Sequence, residues 1–110
     1  METKVTDNIV FEDIRDSLKA TLPKGGKAIL FGSQARGTAR EDSDWDVLVI
    51  LDKESLEPSD YDNITFPLTS LGWDIGENIS PVMYTKKEWE RSSMTPFYKN
   101  VQNDGIVLWD

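Results

Sequence analysis

Residues 31–51, FGSQARGTAREDSDWDVLVIL, run from the end of one apolar segment (28–31) to the end of the next (47–51). Short apolar segments bounded by glycine and polar residues predict buried β-strands. The polar part between them contains a Gly-Ser pair, arginines and alternating aspartates. A loop that only connects two strands does not require this combination of reactive and charged side chains. This stretch therefore predicts both the centre of a sheet and a chemical site.

A helix is predicted on the amino-terminal side of this stretch. Phe11, Ile14, Leu18 and Leu22 recur at helical spacing, which is typical of a helix that buries one face. Asp7 is expected to cap the start of this helix, and Pro23 is expected to end it.

The carboxyl-terminal half predicts a mixture of helices and strands. Residues 59–71 show helical spacing, although Pro67 predicts a kink or an early end. Residues 77–85 predict a third strand, and Pro81 predicts that it lies at a sheet edge or is irregular, because proline donates no ladder hydrogen bond. Short helices over 86–93 and 97–103 and an apolar run over 106–109 complete the pattern. We expect one α+β domain over residues 1–110, a mixed β-sheet with helices packed on it.

Composition narrows the chemistry. The chain has 110 residues, no cysteine and no histidine, which excludes disulfides, thiolate metal sites and imidazole catalysis. The formal net charge of -8 disfavours nonspecific nucleic-acid or membrane-surface binding and favours cations and basic partners. We find neither a membrane-spanning apolar run nor a signal-peptide core, so we expect a soluble, cytoplasmic protein.

Two aspartates stand where the second strand begins. Side chains alternate between the faces of a strand, so Asp44 and Asp46 share one face, about 6–7 Å apart along the chain. Such neighbours repel each other unless a cation lies between them, and carboxylate oxygens select hard cations. The pair predicts a site for Mg²⁺, with Mn²⁺ as the second choice.

The residues that follow the first strand predict a phosphate site. Gly32 lets a ligand approach the backbone, and the next residues can open a short helix whose free amides face an anion. Ser33 adds a hydroxyl donor, whereas Arg36 either adds a guanidinium or packs structurally. A phosphate cradle beside a carboxylate pair predicts binding of ATP or another nucleoside triphosphate.

The block GSQARGTAREDSDWDVLVI, residues 32–50, resembles the signature of the DNA polymerase β-type nucleotidyltransferase superfamily, in particular its minimal single-domain (MNT) members. The matching positions are Gly32, Ser33, Ala35, Arg36, Gly37, Ser43, Asp44 and Asp46. The resemblance implies that Gly32 and Ser33 hold the triphosphate and that the two aspartates ligate Mg²⁺. It also implies a helical HEPN-domain protein as partner.

One position departs from the family pattern. A third carboxylate is expected on a later strand, but Ser80 stands at the corresponding place, and Glu77 lies three residues earlier. Two hypotheses follow. The first is a Mg²⁺-dependent transferase that moves an NMP, most simply AMP from ATP, to an acceptor hydroxyl, possibly on a partner protein. The alternative is a catalytically degenerate binding module that acts as an antitoxin-like partner of a HEPN-type toxin.

Overall fold

The sheet has four strands in the order β3-β2-β1-β4. The computed structural model describes residues 5–40 and 42–110. Strand β1 (Lys27–Phe31) is antiparallel to both β2 (Trp45–Leu51) and β4 (Ile106–Trp109), whereas β2 is parallel to β3 (Ile79–Thr85). The predicted α+β fold with a mixed sheet is confirmed.

Strand β2 is the centre of the core because both of its faces are covered. Trp45, Val47 and Val49 are buried on one face, and Leu48 and Ile50 are buried on the other. The strand begins at Trp45, two residues before the predicted apolar run, since pairing with both neighbours extends it. A strand buried on both faces reads as a continuous apolar run, which is why the sequence pattern was clear here.

Helices cover the two faces of the sheet unequally. Helix α1 (Val5–Thr21) packs on one face, where Ile14 and Leu18 are fully buried with the odd-numbered residues of β2. Because α1 already includes Val5, residue 7 lies inside the helix and is not its cap. Two short helices, α5 (Lys86–Arg91) and α6 (Pro96–Asp104), pack on the other face of the sheet. They contribute Trp89 and Val101 to a second hydrophobic cluster.

A second long helical segment packs beside α1. Helix α3 (Pro58–Asp60), a π-helical turn (Tyr61–Thr65) and α4 (Phe66–Ile75) follow one another without a break. Of the two outcomes expected at Pro67, a kink or an early end, the early end does not occur. The amide of Phe66 donates to the carbonyl of Tyr61, five residues back, and this wider turn directly precedes the proline. A π-turn removes the regular i→i−4 pattern at that point, so the missing amide of proline is tolerated.

The expected edge position of the third strand is confirmed. Strand β3 is paired with β2 alone, and Pro81 lies within it. Thr95 caps α6, because its side chain accepts a hydrogen bond from the amide of Tyr98. Among the described residues, no helix has the length and apolar character that a membrane crossing would require.

Candidate active site

A tight turn joins the end of β1 to a short helix, α2 (Ser33–Arg36). Gly32 has φ of 76°, a conformation that residues with a side chain rarely adopt. Its carbonyl accepts hydrogen bonds from the amides of Ala35 and Arg36, both at 3.1 Å. The amides of Ser33 and Gln34, at the start of the helix, have no acceptor within it. Together with the Ser33 hydroxyl they could donate to a phosphate.

The carboxylate of Asp46 lies against the backbone of this turn. In the sheet, Asp46 is opposite Phe31, the residue before Gly32. A Cβ built on Gly32 would overlap Oδ2 of Asp46. The absence of a side chain at residue 32 therefore allows a carboxylate and the proposed phosphate cradle to share one end of the sheet.

The electrostatics of Asp46 fit a cation site. Burial, and secondarily the negative charge of Asp44, raise the pKa of Asp46, and Arg36 partly offsets this effect. Arg36 is exposed, so it is not a core residue and its guanidinium can face a bound anion. The two carboxylates thus have excess negative charge that a divalent cation would balance.

Strand β3 brings a hydroxyl, and no carboxylate, to this place. Ser80 is the β3 residue opposite Asp46. The Ser80 hydroxyl lies 3.5 Å from Oδ2 of Asp44, and the Asn78 side-chain amide donates to Oδ1 of Asp44 at 2.5 Å. Two neutral side chains therefore orient Asp44, and one of them, Ser80, stands where the family pattern has an acid.

Glu77 takes part in a different interaction. Its carboxylate accepts a hydrogen bond from the indole nitrogen of Trp45 at 2.9 Å. Trp45 is buried and, by strand alternation, its side chain points to the face opposite Asp46. The structure thus brings Ser80 beside Asp46 and directs Glu77 away from it.

The donor set fits a metal ion only in part. Asp44 and Asp46 offer the oxygen ligands that Mg²⁺ and Mn²⁺ prefer. Over the described ranges, 5–40 and 42–110, no group of three or more acidic side chains is arranged to hold a metal. A bound ion would therefore complete its coordination with nucleotide phosphates and water, as Mg²⁺ usually does.

Sequence reasoning did not single out Asn78 or the Trp45–Glu77 pair. Asn78 lies two residues before Ser80, and this spacing places both on one face as β3 begins. That alternation was the available signal for Asn78. The contact between Trp45 and Glu77 joins residues 32 positions apart, and no local pattern indicates it.

Two sequence comparisons relate this chain to known proteins. The family model described as "Nucleotidyltransferase domain" matches residues 11–103. A protein of Methanocaldococcus jannaschii, named as a candidate protein adenylyltransferase, is 32% identical over 83 residues, which are 76% of this chain and 77% of the relative.

Solved structures show the same fold. A toxin–antitoxin structure with AMP-PNP matches with a TM-score of 0.64 and 24% identity, over 90% of this chain and 72% of the other. The toxin–antitoxin complex MntA–HpeT with two Asp-to-Glu substitutions matches with a TM-score of 0.64 and 22% identity, over the same shares.

Proposed function

Since this chain belongs to the nucleotidyltransferase domain family, we propose that it transfers AMP from ATP to a hydroxyl of a partner protein. The observation that carries this proposal is the contact between Gly32 and Asp46. It joins a backbone turn suited to phosphate and a carboxylate pair suited to a divalent cation at one end of the sheet.

The residues of the turn would bind the triphosphate. Ser33 and the first amides of α2 offer donors to phosphate oxygens, and Arg36 adds positive charge at the rim. Asp44 and Asp46 would hold Mg²⁺ or Mn²⁺. The bound ion would supply neutralisation of the triphosphate charge and of the charge that develops on the leaving pyrophosphate.

The transfer itself is a single displacement. The acceptor hydroxyl gives its proton to water, its oxygen forms a bond to the α-phosphorus, the bond between the α-phosphorus and the bridging oxygen breaks, and pyrophosphate leaves. Ser33 and Arg36 would hold the triphosphate in line for this displacement, which is the main protein contribution in such reactions. Asn78 and Ser80 would keep Asp44 in place through their hydrogen bonds.

A protein acceptor is supported by what the similar proteins are named for. The archaeal relative is named for protein adenylylation, and two structural neighbours are toxin–antitoxin structures, one of them with AMP-PNP. The sequence resemblance adds a HEPN-type protein as the partner that an MNT domain accompanies. We therefore expect this protein to act on, or pair with, a toxin of that kind.

A second function rests on one observation about the third acidic position. Ser80 stands there, and Glu77 is bound to Trp45. A domain that binds nucleotide and partner without transfer, an antitoxin-like module, would have the same architecture. In that case the partner would be inhibited by binding alone.

Two measurements test the transfer. The protein is mixed with ATP labelled in the α-phosphate, Mg²⁺ and the protein encoded beside it, and label on that partner is measured together with pyrophosphate release. We expect labelling that is lost in Asp44→Asn and Asp46→Asn, since half of the carboxylate charge is gone. Calorimetric ATP binding with Mg²⁺ and no labelling of the partner would favour the binding module.

A further inference from the structure

An open groove runs along the free edge of the sheet. One wall is the π-helical turn with the start of α4, including Tyr61, Asp62 and Phe66. The other wall is the outer edge of β3, residues 81–84, and the groove has a volume of about 720 Å³. This volume is within the usual range for ligand sites, and the exposed edge of β3 beside it suits an extended polypeptide segment.

The walls of the groove expose several large apolar side chains to solvent. The exposed fractions are 48% for Tyr61, 56% for Phe66 and 39% for Val82. Trp73, 71% exposed, continues the surface because its ring meets that of Phe66 edge to face at 6.3 Å. Contiguous exposed aromatics of this kind are typical of protein-binding surfaces.

The charge around the groove has a single sign. Residues 54–85, which form both walls and the segments between them, contain six acidic residues and no lysine or arginine. Lys53 precedes this segment and Lys86 and Lys87 follow it, and their ammonium groups are paired with Asp60, Asp52 and Glu54. Asp62, within the groove, is exposed. A partner segment that carries lysine or arginine among apolar residues is therefore complementary to it.

The groove adjoins the candidate active site along strand β3. Its wall begins at Pro81, the residue after Ser80, and Ser80 lies opposite Asp46. Val82, which also lines the groove, lies two residues after Ser80 on the same face of β3, so a segment bound beside it would extend toward the carboxylate pair. This placement is what an acceptor hydroxyl requires.

We infer that the groove between the π-helical turn and β3 docks a basic, apolar segment of the acceptor protein. The inference rests on the proposed function, because the bound segment is the substrate of the transfer. Phe66 and Tyr61 would supply the apolar contacts, and Asp62 would attract the basic side chains. The binding is expected to weaken as salt is raised.

The experiment uses the whole chain and a random-sequence peptide library displayed on phage. We expect the selected peptides to be enriched in lysine and arginine together with apolar residues. Synthetic copies of those peptides are then titrated by calorimetry against wild type, Asp62→Lys and Phe66→Ala. Affinity should fall about tenfold or more in both variants, since each removes a central contact.

Matched controls separate docking from general effects. Asp16→Lys makes the same charge reversal at an exposed helical position outside the groove, and Ile9→Ala truncates a side chain that is 55% exposed. Both should bind the peptides as wild type does. Selected peptides without basic enrichment, or undiminished affinity in the two groove variants, would overturn the inference.

The same variants distinguish this inference from the proposed function. Asp62→Lys and Phe66→Ala should bind ATP and Mg²⁺ like wild type, whereas Asp46→Asn should lose ATP and keep the peptides. Groove-dependent peptide binding without any transfer would support the docking surface and count against the transferase. AMP transfer to the acceptor protein that is unchanged in both groove variants would overturn the docking surface alone.

Discussion

The side chain of Asp46 packs against the backbone of Gly32: Oδ2 of Asp46 lies too close to the position of a Cβ on residue 32 for both atoms to fit. Gly32 also has a positive φ of 76°. Asp46 lies in β2 and Gly32 directly follows β1, the antiparallel neighbour of β2, so the contact exists only in the folded sheet. It ties the phosphate turn to the carboxylate pair. Any substitution at residue 32 therefore changes both halves of the site together.

Gly32→Ala should lose most of its affinity for ATP, because the new methyl group displaces the Asp46 carboxylate. The positive φ adds a cost of about 1–2 kcal/mol to the free energy of folding. Gly37→Ala is the matched control, since Gly37 has φ of 75° but nothing within 4 Å of its added Cβ. It should lose similar stability and retain ATP affinity by calorimetry. Equal losses of affinity in both variants would show that the overlap between a Cβ on residue 32 and the Asp46 carboxylate does not control ATP binding.

Asp46→Asn should raise the melting temperature at neutral pH when no divalent cation is present. Burial and the charge of Asp44 raise the pKa of Asp46 above its ordinary value of 3.8, so the charged form destabilises the fold. That cost is present above the folded-state pKa and disappears as the pH falls through it.

The difference in melting temperature between Asp46→Asn and wild type should therefore be largest near pH 7 and shrink as the pH falls toward 3.8. Thermal unfolding at several pH values, with a chelator, measures it. Added Mg²⁺ should stabilise wild type and not the variant. A variant less stable than wild type at every pH would contradict this reading of Asp46.

Ser80→Asp should restore the third carboxylate, because Ser80 lies opposite Asp46 and near Asp44. Without Mg²⁺ a third like charge should lower the melting temperature, and with Mg²⁺ the loss should shrink or reverse. Ser80→Asn is the neutral control of similar size. New or faster AMP transfer only in Ser80→Asp would identify wild type as a degenerate relative. No dependence on Mg²⁺ in either variant would contradict the placement of Ser80.

Glu77→Gln should leave AMP transfer unchanged, because the Glu77 carboxylate is bound to the Trp45 indole and glutamine keeps an oxygen that accepts this hydrogen bond. Glu77→Ala, which removes the acceptor, should lower stability by about 1 kcal/mol through the lost hydrogen bond. Labelled-AMP transfer and thermal unfolding report the two effects. Loss of transfer in Glu77→Gln at unchanged stability would instead make Glu77 the missing acid.

Much of the fold was predictable because its signals are local. The apolar run of β2, the Thr95-Pro96 start of α6 and the proline in β3 each follow from short-range patterning or backbone restriction. The π-helical turn before Pro67 was not predictable, because such a turn is selected by packing and leaves no clear local pattern.

The sequence by itself determined which residues have the chemistry of the site, since the Gly-Ser turn and the two aspartates are defined by type and spacing within one stretch. Tertiary structure decided what stands beside them. The register of β2 against β3 places Ser80 at Asp46, and the contact of Trp45 with Glu77 turns that acid away. Both relationships join residues more than thirty positions apart, and strand register is specified by packing of whole faces, which local sequence does not encode.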